Sequence, residues 1–182
     1  MMDAATNSCW SCGAAVAAPA PFCAACKKVQ PPGEADHFTR LGLTRGFAVD
    51  RVALDKSYFA LQRQLHPDRF ATATPKERAI SQSQAVSLNQ AYETLKDPLS
   101  RAAYLLKLHG VGPTSGDHTV KDQALLIEQM ERREALAEAA NAAEIDAVSR
   151  QAADDAKASE ATIAAAFAAS DLNRAEIGRA HV

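Results

Sequence analysis

Pro67 is the residue that most limits what the centre of this chain can become, because it stands between two segments whose apolar residues recur at helical intervals. Its ring removes a backbone donor and biases His66 toward an extended conformation, so a helix approaching from the N-terminal side must stop near Leu65. That helix is capped by Asp50 and carries Val52, Leu54, Tyr58, Leu61 and Leu65, mostly at three- and four-residue steps. His66 to Phe70 begins a loop. The next helix opens near Pro75, where proline at N1 and Glu77 in the first turn suit a helix start, and its core stripe is Leu88, Ala91, Tyr92 and Leu95. Asp97-Pro98 ends it, and residues 99–106 form a further short helix.

Two other breaks divide the chain. Gln30-Pro31-Pro32-Gly33-Glu34 has no core-forming residue, and His109 to His118 holds three glycines and a proline in ten residues. The expected organisation is a cysteine module over 1–30, a linker over 31–35, a helical domain over 36–109, a second linker over 110–118 and a helical bundle over 119–176. The last block is rich in Ala, Glu, Asp, Leu and Arg, which favour helix. Ile145, Val148, Ala152, Ile163 and Phe167 mark the buried side of its second long helix. Two helices are evident there, and a bundle wants a third or a partner surface. The fold class is therefore all-α, with a small N-terminal metal knuckle. Residues 177–182 we read as an artefact, because Glu176 to Val182 back-translates as GAG-ATC-GGA-AGA-GCA-CAC-GTC, which contains the opening of a common short-read sequencing adapter.

At 182 residues and 47% hydrophobic content the chain has enough apolar material for one ordinary domain or two small ones. A net charge of -2 provides no global basic field, which argues against nucleic acid as a partner. No apolar run approaches the roughly 20 residues that cross a bilayer, and the first residues lack the pattern of a secretory signal. The expected compartment is the cytoplasm.

Cys9, Cys12, Cys23 and Cys26 form two C-x-x-C pairs with ten residues between them. In a reducing compartment this reads as two knuckles closing on one tetrahedral metal rather than as a disulfide framework. Zinc is the favoured ion, since four thiolates suit it; iron in a rubredoxin-like site and a redox dithiol are the alternatives. A segment so short cannot bury a core, so ligation must supply its folding.

His66-Pro67-Asp68 at the tip of two helices offers a partner a rigid polar knob, although polar residues at such a break also serve simply as helix caps. Lys56, Arg63 and Arg69 add charge complementarity to an acidic partner face. The tripeptide occurs with Phe38-Thr39-Arg40-Leu41-Gly42-Leu43 upstream, Leu61-Gln62-Arg63-Gln64-Leu65 before it, Asp68-Arg69-Phe70 after it and Asn89-Gln90-Ala91-Tyr92-Glu93-Thr94-Leu95 downstream. Together these resemble a J domain. Ser100-Arg101-Ala102-Ala103-Tyr104-Leu105-Leu106-Lys107-Leu108-His109-Gly110, His118-Thr119-Val120-Lys121-Asp122 and Leu125-Leu126-Ile127-Glu128-Gln129-Met130-Glu131 extend the resemblance, over about residues 9–176, to the HscB family of iron–sulfur co-chaperones.

That resemblance implies a J-domain hairpin packed against a C-terminal three-helix bundle that binds the iron–sulfur scaffold protein. It implies delivery of the scaffold to a dedicated DnaK-type chaperone, whose ATP hydrolysis the J domain stimulates through His66, Pro67, Asp68 and Arg69, with Lys56 and Arg63 on the contact helix. A bacterial member works in the cytoplasm and a processed eukaryotic one in the mitochondrial matrix. A subset of the family carries a similar cysteine module, with the same Cys9-Trp10-x-Cys12 start and Pro31-Pro32 exit. The chain departs from the pattern at its end, where the third bundle helix is mostly missing.

Projected at 100° per residue, Val120 to Asn141 shows two apolar stripes, one with Leu125 and Leu136 and one with Leu126, Met130 and Ala137, Ile127 lying nearby. Glu131, Glu134 and Glu138 border the second, and an apolar centre rimmed by charge is the anatomy of a binding patch. Periodicity alone favours burial of both stripes. The resemblance implies the opposite, placing Leu126, Ile127, Met130, Glu131, Glu134 and Glu138 on the scaffold-binding surface.

The chain carries no P-loop, nucleophile elbow or clustered carboxylate pair, so an enzyme is not expected. A general J-protein would carry a Gly/Phe-rich stretch and β-rich client domains, and neither is present. A zinc-knuckle nucleic-acid adaptor has only Lys27, Lys28, Trp10 and Phe22 in the knuckle with which to contact phosphate and bases.

Overall fold

The computed structural model describes residues 6–111 and 123–175. Most of the second linker and residues 177–182 lie outside the described residues. The cysteine module opens with a short antiparallel pair, β1 (Thr6–Ser8) and β2 (Ala15–Ala17), in which Asn7 faces Val16. Helices α1 (His37–Arg40), α2 (Arg51–Leu65), α3 (Pro75–Lys96), α4 (Pro98–Leu108), α5 (Gln123–Glu138) and α6 (Ala142–Ala168) follow. Contacts divide the chain into two units, Met1–Asp97 and Pro98–Val182.

Helix boundaries follow local chemistry. Asp50 caps α2 by accepting the Val52 and Ala53 amides, and α2 stops at Leu65, one residue before extended His66. The expected loop is tighter than a plain coil, because Pro67–Phe70 winds into a 3-10 turn. Thr74 and Glu77 form a reciprocal capping box with Pro75 at N1. Pro98 cannot continue α3 and begins α4 instead.

In the first unit the core is Phe38, Leu41, Leu54, Leu65, Leu88, Ala91, Tyr92 and Leu95, so the expected stripe of α3 is buried throughout. Tyr58 of α2 stacks on Tyr92 of α3 at 4.0 Å, and each hydroxyl reaches across the hairpin, Tyr58 to Asn89 Oδ1 at 3.0 Å and Tyr92 to Asp55 Oδ1 at 2.9 Å. Val52 does not join this core. It is 75% exposed, because α3 covers the face of α2 that holds Leu54 and Leu65 and leaves the opposite side to solvent.

The second unit buries Leu106, Ala166 and Ala175, with Val111, Phe167 and Leu172 packed around them. Ile163 is fully buried as expected, whereas Ile145 is 46% exposed. Its end of α6 meets α5 along a seam where Arg132 pairs with Asp155 at 2.8 Å, and Leu136 is left 52% exposed beside it. Two helices crossing in this way cover one side of each other only.

Candidate functional site

The four cysteine sulfurs lie within 4.8 Å of one another. Two matching turns bring them there. In the first, Gly13 N donates to Cys9 O at 2.9 Å and Cys9 N to Ala14 O at 2.8 Å; in the second, Lys27 N donates to Cys23 O at 2.9 Å and Cys23 N to Lys28 O at 3.0 Å. The residue that closes each turn has positive φ, +75° at Gly13 and +62° at Lys27. Glycine takes this conformation freely, whereas a lysine held there costs of order 1 kcal/mol, which the rest of the knuckle must offset.

The thiol environments are unequal. Burial pushes the Cys9 thiol up, but the Cys12 and Ser11 amides and the Cys26 and Cys12 thiols outweigh it and hold it at about 6. At Cys12 the Ala14 amide pulls down, yet Cys26, burial, Cys9 and Cys23 together push the thiol up to about 12. Cys23 is lowered, chiefly by the Cys26 amide. Cys9 and Cys23 thus ionise more readily than a free thiol and Cys12 less readily. Two of the sulfur pairs, Cys9–Cys26 at 3.6 Å and Cys12–Cys23 at 3.8 Å, suit the edge of about 3.8 Å that four sulfurs make around zinc at about 2.3 Å. The residues fit a tetrahedral thiophilic ion.

The module is seated on α3. Lys28 Nζ meets Glu77 Oε1 at 2.7 Å, Gln84 Nε2 donates to Gln30 O at 2.7 Å, and Lys76 Nζ lies 4.4 Å from the Trp10 ring centroid. Trp10 Nε1 in turn donates to Val29 O at 2.7 Å, while Gln30 Nε2 donates to Cys9 Sγ at 3.3 Å. Sequence reasoning missed Gln30, Glu77 and Gln84. The available signal was the spacing of Glu77, Ser81 and Gln84, three polar residues that continue the buried stripe of Leu88, Ala91 and Leu95 toward the start of α3 at steps of four and three.

The tip of the α2–α3 hairpin combines two roles. His66 Nδ1 accepts the Asp68 amide at 3.3 Å and so caps the 3-10 turn, while its side chain stays half exposed and that of Asp68 is 90% exposed. Arg69 is exposed beside them. Along α2, Val52, Lys56, Phe59 and Arg63 recur at steps of four, three and four and are all exposed. Lys56 and Arg63 were expected there; Val52 and Phe59, which interleave with them, were not.

On α5, Leu126, Ile127 and Met130 are 47%, 49% and 61% exposed. Glu131, Glu134 and Glu138 are exposed as well. The six span an arc of about 140° at 100° per residue. Arg132, which meets α6 through Asp155, lies on the other side of the helix. Leu126, Ile127 and Met130 therefore face away from α6, whereas Glu131 borders the α5–α6 groove, and burial of both stripes, which periodicity favoured, does not occur among the described residues.

Comparison with known proteins agrees with this anatomy. The DnaJ domain family matches residues 36–104, and the HSCB C-terminal oligomerisation domain matches residues 121–178. The chain is similar to the human co-chaperone protein HscB, with 34% identity, 96% of this chain and 90% of that one covered, and a TM-score of 0.87. It is also similar to the chaperone HscB from Vibrio cholerae, with 34% identity, 81% and 88% covered and a TM-score of 0.73. Jac1 co-chaperone from Saccharomyces cerevisiae matches with 25% identity, 76% and 79% covered and a TM-score of 0.61.

Proposed function

The chain belongs to the HscB family of J-domain co-chaperones, and on that premise we propose that it binds an iron–sulfur scaffold protein and delivers it to a DnaK-type chaperone, whose ATP hydrolysis it triggers. It is a co-chaperone and not an enzyme; the hydrolysis belongs to the partner. What carries the reading is the exposed, rigid His66-Pro67-Asp68 tip standing at the end of the exposed cationic and apolar face of α2. Lys56, Arg63 and Arg69 steer an acidic chaperone face, Val52 and Phe59 give it apolar area, and the tip presents polar atoms in a fixed geometry. Helix α5 supplies the scaffold surface, with Leu126, Ile127 and Met130 as its apolar centre and Glu131, Glu134 and Glu138 as its rim.

Cys9, Cys12, Cys23 and Cys26 hold a structural zinc that folds the N-terminal module. The match to the HscB C-terminal domain favours the iron–sulfur role over that of a general J-protein. In a bacterium the protein works in the cytoplasm, in a eukaryote in the mitochondrial matrix. No described helix is long and apolar enough to cross a membrane. Steady-state ATPase assays of the chaperone test the proposal. Wild-type protein should stimulate hydrolysis and His66→Gln should not, with unchanged helical circular dichroism; full stimulation by the variant would refute the triggering role.

A further inference from the structure

Among the described residues, the buried polar side chains are Gln30, Glu77, Ser81 and Gln84. Three of them follow one another on α3 at steps of four and three, so they share one side of the helix, and the fourth belongs to the cysteine module. Each is partnered. Glu77 accepts from Lys28 at 2.7 Å and from the Thr74 hydroxyl at 2.7 Å; Ser81 Oγ donates to Leu65 O at 2.7 Å; Gln84 Nε2 donates to Gln30 O at 2.7 Å. Gln30 Nε2 reaches Cys9 Sγ at 3.3 Å and Lys28 O at 2.8 Å. The stripe thus touches the cysteine module at Lys28 and Gln30. It touches the trigger loop on both flanks, at Leu65 just before His66 and at Thr74 just after the 3-10 turn.

We propose that Gln30 is a positioning residue that couples metal binding at the four cysteines to the rigidity of the His66-Pro67-Asp68 loop, through the buried stripe Gln84, Ser81 and Glu77. This rests on the reading of the cysteines as a metal site. A metal-bound thiolate accepts a hydrogen bond more strongly than a free thiol does, so ligation at Cys9 fixes the Gln30 amide, and outer-shell donors of this kind orient ligands in metal sites generally. Gln84 then holds the Gln30 main chain, and Lys28 holds Glu77. When the ion leaves, a module too small to keep a core of its own loosens. Gln84 then loses its partner in a buried place and Glu77 keeps only Thr74, and the first turns of α3, which close both flanks of the loop, open more often.

The test is amide hydrogen exchange of the full chain, read over residues 64–74, with one equivalent of zinc and again after chelation. In the wild type, zinc removal should speed exchange there by about tenfold. Gln84→Met keeps all four cysteines and should still bind zinc, yet its response should fall below about twofold. Should that variant fail to fold, Lys28→Met removes the other, half-exposed contact and must also lower the response. Gln30→Met should weaken zinc binding by about 10–100-fold. It should also shift the thiolate-to-metal charge-transfer band of the cobalt-substituted protein, which a purely space-filling role for Gln30 would leave in place. A wild type that binds zinc but exchanges equally fast with and without it overturns the coupling and leaves the metal site standing. A Gln30→Met variant with unchanged zinc affinity and cobalt spectrum overturns the role of Gln30, and a chain that takes up no zinc overturns both readings.

Discussion

Ser81 Oγ donates to the main-chain carbonyl of Leu65 at 2.7 Å, so α3 closes the end of α2 one residue ahead of His66. The last carbonyls of any helix lack partners within it, and this one is satisfied in a buried place by a side chain 16 residues further on. Ser81→Ala removes the donor and leaves the carbonyl dry. A loss of about 1–3 kcal/mol is expected. Urea unfolding should show it as a lower midpoint with unchanged slope, and a midpoint equal to wild type would mean that water replaces the hydroxyl without cost.

Glu77 gives a pH dependence with a definite sign. The Lys28 ammonium, foremost, and the Thr74 hydroxyl hold its carboxyl below the ordinary value of 4.5, against the opposing effect of burial. A carboxyl depressed by folding stabilises the native state above its unfolded pKa and ceases to do so as pH falls through its folded one. Wild type should therefore exceed Glu77→Gln in stability at neutral pH, with the gap closing as pH drops below 4.5. Thermal unfolding midpoints of the two proteins from pH 7 to pH 3 give the comparison. A gap that stays constant across that range would assign the effect to packing and not to charge.

Much of this fold was legible because its punctuation is local. Asp50, Pro67, Pro75 and Pro98 act on residues one to four positions away, and each boundary they imply is present. The cysteine spacing likewise announced a cluster, which is there. What the sequence withheld depends on which neighbour an element meets. Val52 and Leu54 are both apolar and two residues apart, but only Leu54 faces α3. Ile145 and Ile163 fit the same helical stripe, yet Ile163 is fully buried and Ile145 is 46% exposed, because Ile145 lines an open groove with Leu136 and Arg133 of α5 that nothing among the described residues fills. Gln30 lay in what reads as the start of a linker and proved 5% exposed, since its partners Cys9 and Gln84 are remote in the chain.

Metal content follows from the cysteine geometry. Purified protein should carry one zinc per chain, and replacing both Cys9 and Cys12 by Ser should abolish it together with the fold of the module, since ligation is worth roughly 10–16 kcal/mol in peptides of this kind near neutral pH. Elemental analysis and circular dichroism after chelation check both halves. Iron with a visible thiolate absorption band would replace zinc by a rubredoxin-like ion, and an intramolecular disulfide formed under reducing preparation would exclude either ion.

The α5 stripe separates binding from stability in one variant. Leu126, Ile127 and Met130 are each about half exposed or more, so replacing all three by Ala removes little that the folded chain buries. At a scaffold contact the same side chains would be covered, and the apolar area lost is worth roughly 25 cal/mol per Å2. Scaffold binding, measured by isothermal titration, should weaken at least tenfold. The melting temperature should hardly move, whereas truncating core residues costs about 2–5 kcal/mol each. Stimulation of the chaperone's basal ATPase without scaffold should persist, because the His66-Pro67-Asp68 tip is untouched. A variant that loses stability in step with scaffold affinity would show the stripe to be packed in solution, and the scaffold surface would then have to lie on other residues.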